Sequence, residues 1–307
     1  MIKPRALEPG SRLAVIAPAS PFSREEFDRG IAEIGRLGFV PVYEESVFAK
    51  QGYLAGTAAV RAGALRRALA DSTVAGIVGA RGGYGSAQIL PLLDADDVRR
   101  ARKPFVGYSD LTSLLTFLTT TCGVVAFHGP MLVGPLGRGA DGYDRASFMG
   151  AVCGREPLGE LTAPGVEAVR PGEARGLLLG GTLTQLVASL GTPFAFCPPQ
   201  GHVLLLEEVG ERPYRLDRMI TQLRQSGLLA RAAAIVVGEM VGCDEPSGDL
   251  TGRSVVANLF GDFPGPVLLG FPSGHTAGAA VTLPLGVSCR VIGGPRPRLV
   301  IEEAAVE

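Results

Sequence analysis

The sequence predicts an α/β protein with a mostly parallel sheet. Short apolar runs alternate with amphipathic helical patterns along the first part of the chain, and this alternation is typical of βαβ units whose sheet is covered on both faces. Glycine (43 residues) and proline (23 residues) are abundant, which indicates many tight turns between short elements. A second series of strands follows a change in composition, so we expect the 307 residues to form two domains.

The first part of the chain is predicted to contain five strands. The first strand stops at Pro18, and a capping-box sequence at residues 23–26 then begins a helix that ends at Gly38. The predicted strands cover residues 13–17, 39–43, 74–79, 104–107 and 124–127, and the further helices cover residues 60–69 and 111–121.

The second part of the chain follows a stretch with a different composition. Residues 134–171 are rich in glycine, proline and charged residues and show little periodicity beyond one short helix near residues 145–153. We interpret this stretch as a connection and divide the chain into residues 1–135, 136–175 and 176–307. The last part is predicted to contain strands at residues 203–206, 234–237 and 267–269, a helix at residues 214–225, and a strand-like stretch at residues 291–301 that Pro295 and Pro297 interrupt.

The composition limits the class of function and the compartment. A formal net charge of -1 provides no basic excess for a nucleic acid, and no apolar run is long enough to span a membrane. The N-terminus lacks the apolar segment of a signal peptide, so we expect a cytoplasmic protein. The five cysteines are scattered without a CxxC pair, which indicates buried free thiols rather than a zinc site or a disulfide framework.

The segment from Lys103 to Thr112 combines a strand, a serine-containing turn and an apolar helix. A serine on such a turn projects its hydroxyl from the carboxyl end of the sheet, and the next backbone amide can stabilise an oxyanion. The motif around Ser109 is G-x-S-x-L, so it matches a nucleophile elbow incompletely. The alternative is that Ser109 or Asp110 only caps the following helix.

A serine nucleophile at neutral pH usually needs a histidine base, and the chain contains only three histidines. His275 lies in a loop directly after an apolar strand, where catalytic groups gather. His128 ends another strand and can line the same edge, whereas His202 is expected on a surface turn. The candidate carboxylates are Glu207, directly after an apolar strand, and Glu211, at the start of a helix.

A glycine-rich loop follows the third predicted strand at residues 80–86. The loop lacks both the G-x-G-x-x-G pattern and a P-loop lysine, so a phosphate site is not favoured. We expect an oxyanion amide from Gly82 or Gly83 and a substrate carboxylate on Arg81. A plain tight turn is the alternative.

These segments together resemble the LD-carboxypeptidase family, which includes muropeptide LD-carboxypeptidases and microcin-immunity peptidases. The resemblance covers most of the chain in the right order. The matching segments are ARGGYGS (80–86), GYSDLT (107–112), FHGPM (127–131), LLGGTLTQL (178–186), LEEVGERPYRLDRMITQL (206–223), GFPSGHT (270–276) and TLPLG (282–286).

The resemblance implies a Ser-Glu-His triad. The family's serine corresponds to Ser109, its histidine to His275 and its glutamate to Glu207, with Glu211 as a minor alternative for the acid. It further implies an oxyanion hole and nearby substrate contacts. The implied oxyanion donors are the amides of Asp110 and Gly83, and the candidate substrate contacts are Arg81 and Tyr84.

The resemblance also implies an architecture. The first domain is expected to resemble class I glutamine amidotransferases, the C-terminal α/β domain is expected to be smaller, and the active site lies in the cleft between them. A homodimer without a metal or organic cofactor is implied. Two departures from the family pattern concern Thr182, where an asparagine is expected, and the stretch before Thr282, which lacks an asparagine; both put substrate contacts in doubt.

The expected activity is hydrolysis of an amide between an L-centre and a C-terminal D-amino acid. The expected substrate is a small murein tetrapeptide that loses D-Ala during peptidoglycan recycling. One alternative is a microcin-immunity-type peptidase acting on peptidyl or aminoacyl nucleotides, against which the low aromatic content (6%) counts. Another alternative is a ligand-binding protein without catalytic activity.

Overall fold

The computed structural model describes residues 1–307 and contains fourteen strands. They are β1 (Arg12–Ile16), β2 (Val40–Val42), β3 (Gly76–Gly79), β4 (Phe105–Gly107), β5 (Ala126–His128), β6 (Gly159–Leu161), β7 (Glu167–Arg170), β8 (Gly172–Thr182), β9 (His202–Glu207), β10 (Ala232–Val237), β11 (Val267–Leu269), β12 (Leu283–Leu285), β13 (Ser288–Gly293) and β14 (Arg298–Ile301). The strands predicted in the first part of the chain are all present within a few residues of their expected bounds.

The helices are short, and none is long and apolar enough to cross a membrane. The α-helices are α1 (Arg24–Arg36), α2 (Ala58–Ala70), α3 (Ala95–Ala101), α4 (Thr112–Thr116), α5 (Arg145–Cys153), α6 (Leu183–Ser189), α7 (Pro213–Gln225), α8 (Leu228–Arg231) and α9 (Gly252–Leu259). A π-helix covers Phe117–Thr121, and 3₁₀ helices cover Glu45–Phe48, Ser86–Leu92, Ser109–Leu111 and Leu136–Asp141.

The first sheet has six strands in the order β12-β5-β4-β3-β1-β2. The five strands from the first part of the chain run parallel, whereas β12 pairs antiparallel with β5. The loop between β11 and β12 therefore starts on one sheet and ends on the other. This arrangement anchors the His275 loop at both ends and places it beside the carboxyl end of β5.

The second sheet has eight strands in the order β6-β14-β13-β8-β9-β10-β11-β7. Its centre, β8 to β11, is parallel. The expected connection at residues 136–175 contains α5 as predicted, but it also supplies β6 and β7, the two edges of this sheet. Edge strands that are half-exposed lack the apolar run of a buried strand, so the sequence pattern concealed them. With these two edges the second sheet has eight strands, against six in the first.

The two faces of β9 pack into different hydrophobic cores. Val203 and Leu205 belong to the core that the second sheet shares with the first sheet. Leu204 and Leu206 belong to a separate core that includes Leu216 of α7. Because side chains alternate along a strand, Glu207 continues the face that is directed toward the first sheet.

All five cysteines are free, as predicted. Cys122, Cys243 and Cys289 are buried, whereas Cys197 is exposed, so the expectation of burial is wrong for that thiol. Burial raises the pKa of Cys122 to about 12 and that of Cys243 to about 11. These buried thiols stay protonated at neutral pH.

Candidate active site

Ser109 occupies a strained turn at the carboxyl end of β4. Its φ is 61°, in the left-handed region that serine rarely adopts. Such a conformation costs on the order of 1–3 kcal/mol and persists where the surroundings impose it. Ser109 is half-buried, and no side-chain cap is present on the 3₁₀ turn or on α4. The alternative that Ser109 caps the helix is therefore wrong, and the geometry is that of a nucleophile elbow.

The Asp110 carboxylate binds the glycine-rich loop rather than its own helix. It accepts hydrogen bonds from the amides of Gly85 (3.2 Å) and Ser86 (2.8 Å), and the Ser86 hydroxyl donates to the Asp110 carbonyl at 2.5 Å. Asp110 is 2% exposed, and this burial raises its pKa although the hydrogen bonds oppose the change. The serine turn and the glycine-rich loop therefore form one unit.

Gly82 makes the closest approach to the serine. A Cβ on Gly82 would lie 3.0 Å from Ser109 Oγ and 3.3 Å from the Asp110 amide nitrogen, so only glycine fits without displacing Ser109. The Gly82 carbonyl accepts a hydrogen bond from the Ser20 amide at 3.2 Å. The Gly82 carbonyl and the Gly83 N–H belong to the same trans peptide and point in opposite directions. The Gly83 N–H is therefore directed away from the Ser20 amide.

Glu207 and His275 form a hydrogen-bonded pair. Glu207 is 0% exposed, and its Oε2 lies 2.7 Å from His275 Nδ1 and accepts the His275 backbone amide at 2.9 Å. The carboxylate assigns the proton to Nδ1 and leaves Nε2 with a free lone pair. Because His275 donates both its backbone N–H and its Nδ1–H to one carboxylate, the imidazole is held in the tautomer whose Nε2 can accept a proton.

Glu207 and His275 each shift the pKa of the other toward its charged form. Burial by itself would raise the pKa of Glu207, but the neighbouring imidazoles of His128 and His275 outweigh burial and hold that pKa well below its usual range. Burial would likewise lower the pKa of His275, but the hydrogen bond and charge of Glu207 raise it. Glu207 is therefore ionised at neutral pH and favours the protonated imidazole.

The His275 ring lies next to the serine turn. Its centroid is 4.9 Å from that of Tyr108, the residue before Ser109, in an edge-to-face arrangement. The hydrogen bonds of His275 are both to Glu207, and Ser109 Oγ shares none with the imidazole. In free enzymes such a bond is often long and tightens only when substrate is bound. The structure thus brings the Glu207–His275 pair next to the turn that carries Ser109.

Gly274 explains the Gly-His sequence of the loop. Its φ is 78°, and a Cβ there would lie 2.6 Å from the Glu207 carboxyl carbon. A larger residue would collide with the carboxylate that the next residue binds. The glycine therefore allows the loop to pass directly over Glu207.

The other acids of the 207–211 segment have different partners. Glu208 is 4% exposed and accepts the amide (2.8 Å) and hydroxyl (2.6 Å) of Thr184, which fastens the start of α6. Glu211 forms an ion pair with Arg215 at 3.2 Å. Glu211, the minor alternative for the acid, does not contact His275.

Two further buried polar residues surround Glu207: His128, which was expected at this edge of the sheet, and Thr182, which was expected to affect substrate contacts. The Thr182 hydroxyl donates to Oε1, so the departure at Thr182 bears on the predicted acid rather than on substrate alone. His128 Nε2 lies 3.8 Å from the same oxygen, and its Nδ1 contacts Ser273 Oγ at 3.1 Å. His128 therefore lies behind the carboxylate.

His202 is remote from Glu207 and His275, and it does not lie on the protein surface. It lies at the opposite end of β9 from Glu207, is 1% exposed, and its Nδ1 contacts the Pro199 carbonyl at 2.9 Å. Burial lowers its pKa. The expectation of a surface position is wrong because His202 is already the first residue of β9 and its side chain is buried, although Pro199 and Gln200 in the turn before it are exposed.

The candidate substrate residues lie on the exposed side of the glycine-rich loop. Arg81 donates to the Pro21 carbonyl at 2.8 Å, so part of its guanidinium is already engaged. Tyr84 is 52% exposed and its ring lies 5.7 Å from that of Tyr53, which is 67% exposed. Tyr53 was missed, because nothing in the linear sequence places it next to the loop.

Family models match both parts of the chain. The LD-carboxypeptidase N-terminal domain matches residues 13–129, and the LD-carboxypeptidase C-terminal domain matches residues 175–291. The chain belongs to the LD-carboxypeptidase family. Membership of this peptidase family supports a serine peptidase, and hence a hydrolase.

Curated relatives of the chain carry carboxypeptidase names. A putative carboxypeptidase of Streptomyces coelicolor is 38% identical over 94% of this chain and 92% of its own length. The probable murein peptide carboxypeptidase of Bacillus subtilis is 34% identical over 92% and 89%. The murein tetrapeptide carboxypeptidase of Pseudomonas aeruginosa is 31% identical over 87% and 88%. Full-length similarity of this kind supports a carboxypeptidase.

Solved structures share the fold. The muramoyltetrapeptide carboxypeptidase from Oxalobacter formigenes superposes with a TM-score of 0.83 at 25% identity, over 96% of this chain and 99% of that chain. The microcin C7 self-immunity protein MccF superposes with a TM-score of 0.90 at 22% identity, over 100% of both chains. At that identity the second match establishes the fold alone.

Proposed function

We propose that this protein is a serine carboxypeptidase that hydrolyses the amide bond between an L-centre and a C-terminal D-amino acid. The observation that carries the proposal is the fully buried Glu207 carboxylate bound to His275 Nδ1, beside the left-handed Ser109 turn. The murein peptide carboxypeptidases among the relatives support a murein tetrapeptide as substrate, with D-Ala as product and peptidoglycan recycling as the role.

The proposed mechanism assigns one task to each group. Ser109 Oγ attacks the scissile carbonyl while His275 Nε2 takes its proton, and Glu207 stabilises the imidazolium that forms. The amides of Asp110 and Gly83 donate to the oxyanion. His275 then returns the proton to the leaving amine, and a water molecule releases the peptide from Ser109 by the same route. Arg81 and Tyr84 are proposed as substrate contacts.

A second candidate activity has one observation in its favour. The exposed edge-to-face pair of Tyr53 and Tyr84 stands on the outer side of the glycine-rich loop, and exposed aromatic rings can stack on a nucleobase. A microcin-immunity-type peptidase acting on aminoacyl nucleotides would use such a surface. Parallel assays with a murein tetrapeptide and an aminoacyl sulfamoyl nucleotide separate the two candidates.

Several further features belong to the same proposal. We infer a cytoplasmic homodimer that acts without a metal or organic cofactor. The six-stranded sheet that carries Ser109 is proposed to be related to class I glutamine amidotransferases, and residues 136–175 are proposed to connect the two catalytic halves. Sedimentation of the purified protein tests the dimer.

The decisive experiment is a product assay on matched variants. Purified protein should release D-Ala from a murein tetrapeptide, and Ser109→Ala should lose at least about a thousandfold of kcat/KM. Ser226→Ala, which removes a hydroxyl that donates to the Leu223 carbonyl at the end of α7, is the control for the loss of a hydroxyl and should keep most of the activity. Full activity in Ser109→Ala would contradict the mechanism. Labelling of Ser109 by a fluorophosphonate, absent in Ser109→Ala, argues against a protein that only binds its ligand.

A further inference from the structure

A buried arginine lies behind the glycine-rich loop, and no assigned step uses it. Arg61 projects from α2 and is 1% exposed, although arginine is rarely buried so completely. Its hydrogen bonds all go to uncharged oxygens. They reach the carbonyls of Gly56 (3.1 Å), Pro18 (2.7 Å) and Gly85 (2.6 Å) and the side-chain oxygen of Gln88 (2.7 Å).

We infer that Arg61 is a positioning residue that holds the oxyanion-binding loop, an inference that rests on the proposed function. The guanidinium is buried and has no hydrogen bond to Ser109 or His275. Its fork of donors reaches two loops at once, which a lysine ammonium cannot reproduce with the same geometry.

Gly85 links this arginine to the nucleophile. Its carbonyl accepts from Arg61, while its amide donates to the Asp110 carboxylate at 3.2 Å. The peptide groups of Gly85 are thus held between a buried cation and a buried carboxylate. The positive charge of Arg61 also counteracts the rise in the pKa of Asp110 that burial causes.

Pro18 gives Arg61 a second connection to the loop. The Pro18 carbonyl accepts from Arg61, and two residues later Ser20 holds the loop on both sides. The Ser20 amide donates to the Gly82 carbonyl at 3.2 Å, and the Ser20 hydroxyl accepts the Tyr84 amide at 3.1 Å. The Gly83 peptide, proposed to donate to the oxyanion, lies between these two anchors.

This arrangement predicts a specific kinetic defect. Donors that stabilise an oxyanion act on the transition state, so a displaced loop lowers kcat more than it raises KM. A residue that only supported folding would lower the amount of active enzyme without changing the rate of the folded fraction. Because fewer active molecules also lower the apparent kcat at an unchanged KM, kcat is divided by the concentration of enzyme that a fluorophosphonate labels to completion. A kcat that stays low after this correction indicates positioning rather than folding.

The experiment compares two arginines of the same helix. Arg67 lies on α2, and its guanidinium is bound to Glu44 at the surface at 2.6 Å, away from the glycine-rich loop. Arg61→Lys should lower kcat for the tetrapeptide by about ten- to a hundredfold with KM within about threefold, less than the loss of an oxyanion donor itself. Arg67→Ala should leave both constants within about twofold, as expected for an exposed ion pair.

Chemical rescue provides a second readout. Arg61 and Arg67 both line a cavity of about 570 Å³ between α2 and the strands β1 and β2, so a guanidinium ion has space to approach the vacated position. Millimolar guanidinium should restore part of the kcat of Arg61→Ala and leave that of Arg67→Ala unchanged. If Arg61→Ala does not fold, Arg61→Lys alone decides, with its fold checked by thermal unfolding.

The rate of Ser109 labelling by a fluorophosphonate keeps this inference separate from the proposed substrate. Labelling forms a tetrahedral species in the same oxyanion site, so Arg61→Lys should slow it together with kcat. If the wild-type protein is labelled but releases no D-Ala, the proposed substrate is wrong. The labelling rates of wild type and Arg61→Lys then still test the role of Arg61. A folded Arg61→Lys with wild-type kcat and labelling rate would overturn the role of Arg61.

Discussion

The two buried carboxylates of the site, Asp110 and Glu207, lie near the ends of parallel strands in different sheets, and their pKa values are shifted in opposite directions. Asp110 accepts mainly backbone amides of the glycine-rich loop, and burial raises its pKa. Glu207 is more deeply buried, yet its pKa is lowered because two imidazoles face it. The partner, rather than the depth of burial, decides whether a buried acid is stabilised as an anion.

The comparison separates two tasks. Asp110 binds the backbone of the glycine-rich loop, and Glu207 binds His275. In the proposed mechanism both are needed, because Ser109 without an oriented imidazole has no base, and His275 without the loop has no oxyanion donors. Substitutions of the two acids should therefore produce different defects.

The largest effect is expected for Glu207→Gln. An amide cannot stabilise the imidazolium and offers an NH₂ group that competes for the wrong tautomer, so kcat should fall by about a thousandfold. Steady-state release of D-Ala measures the change. Glu211→Gln is the matched control four residues away and should stay within about twofold, since its ion pair is partly exposed. Equal losses in the two variants would contradict the choice of acid.

Asp110→Asn should have a smaller effect on rate and a clear effect on stability. The amide keeps one acceptor oxygen, and its NH₂ group would face an amide N–H of the loop. The free energy of unfolding should fall by about 1–3 kcal/mol, the cost of a buried polar group left without a partner, and kcat by about tenfold through displacement of the loop. Urea unfolding and kinetics of the same preparation measure both. A variant that loses activity as completely as Glu207→Gln would place Asp110 in the chemistry itself.

The smallest expected effect is on pH dependence. His275 must be neutral to accept the serine proton, and its pKa is raised by Glu207, so the acid limb of kcat/KM should lie above the usual histidine value of about 6.5. In Glu207→Gln the residual activity should have its acid limb at lower pH, because the charge that raised the pKa is gone. If the acid limb of kcat/KM lies at the same pH in Glu207→Gln and in the wild type, His275 is not the base.

Glu207 and His275 also contribute to the stability of the folded protein, and the two contributions change in opposite directions with pH. Glu207 has a lowered pKa in the folded state, so its contribution is complete above its unfolded value of about 4.3 and is lost as pH falls through the folded value. His275 has a raised pKa, so its contribution is complete below about 6.5 and is lost as pH rises through the folded value. Glu207→Gln should flatten both changes in thermal unfolding across pH.

Much of the fold was predictable because buried parallel strands and amphipathic helices have strong local patterns. The five parallel strands of the first sheet and helix α7 agree with prediction to within a few residues. The edge strands β6 and β7 were not predicted, since their half-exposed residues show no apolar run. The antiparallel pairing of β12 with β5 joins residues far apart in the chain, and no local pattern encodes such a partner.

The site was predictable where a single segment carries the chemistry. The strand-turn-helix around Ser109 and the acid that ends β9 are local features, so both could be named from sequence. The surroundings of Glu207 and the bracing of the glycine-rich loop were not predicted. Thr182, His128 and Arg61 contact partners that are many residues away in the chain. The neighbours of these residues in the sequence do not identify those partners.

The sequence by itself determined the element order, the membership of a peptidase family and the segments that hold the serine, the acid and the histidine. Tertiary structure alone decided which acid meets His275, which glycine lies against Ser109, and that a buried arginine supports the loop. The physical reason is that hydrophobic periodicity is a property of neighbouring residues, whereas the charge state of a buried group depends on partners that only the packed chain brings within hydrogen-bonding distance.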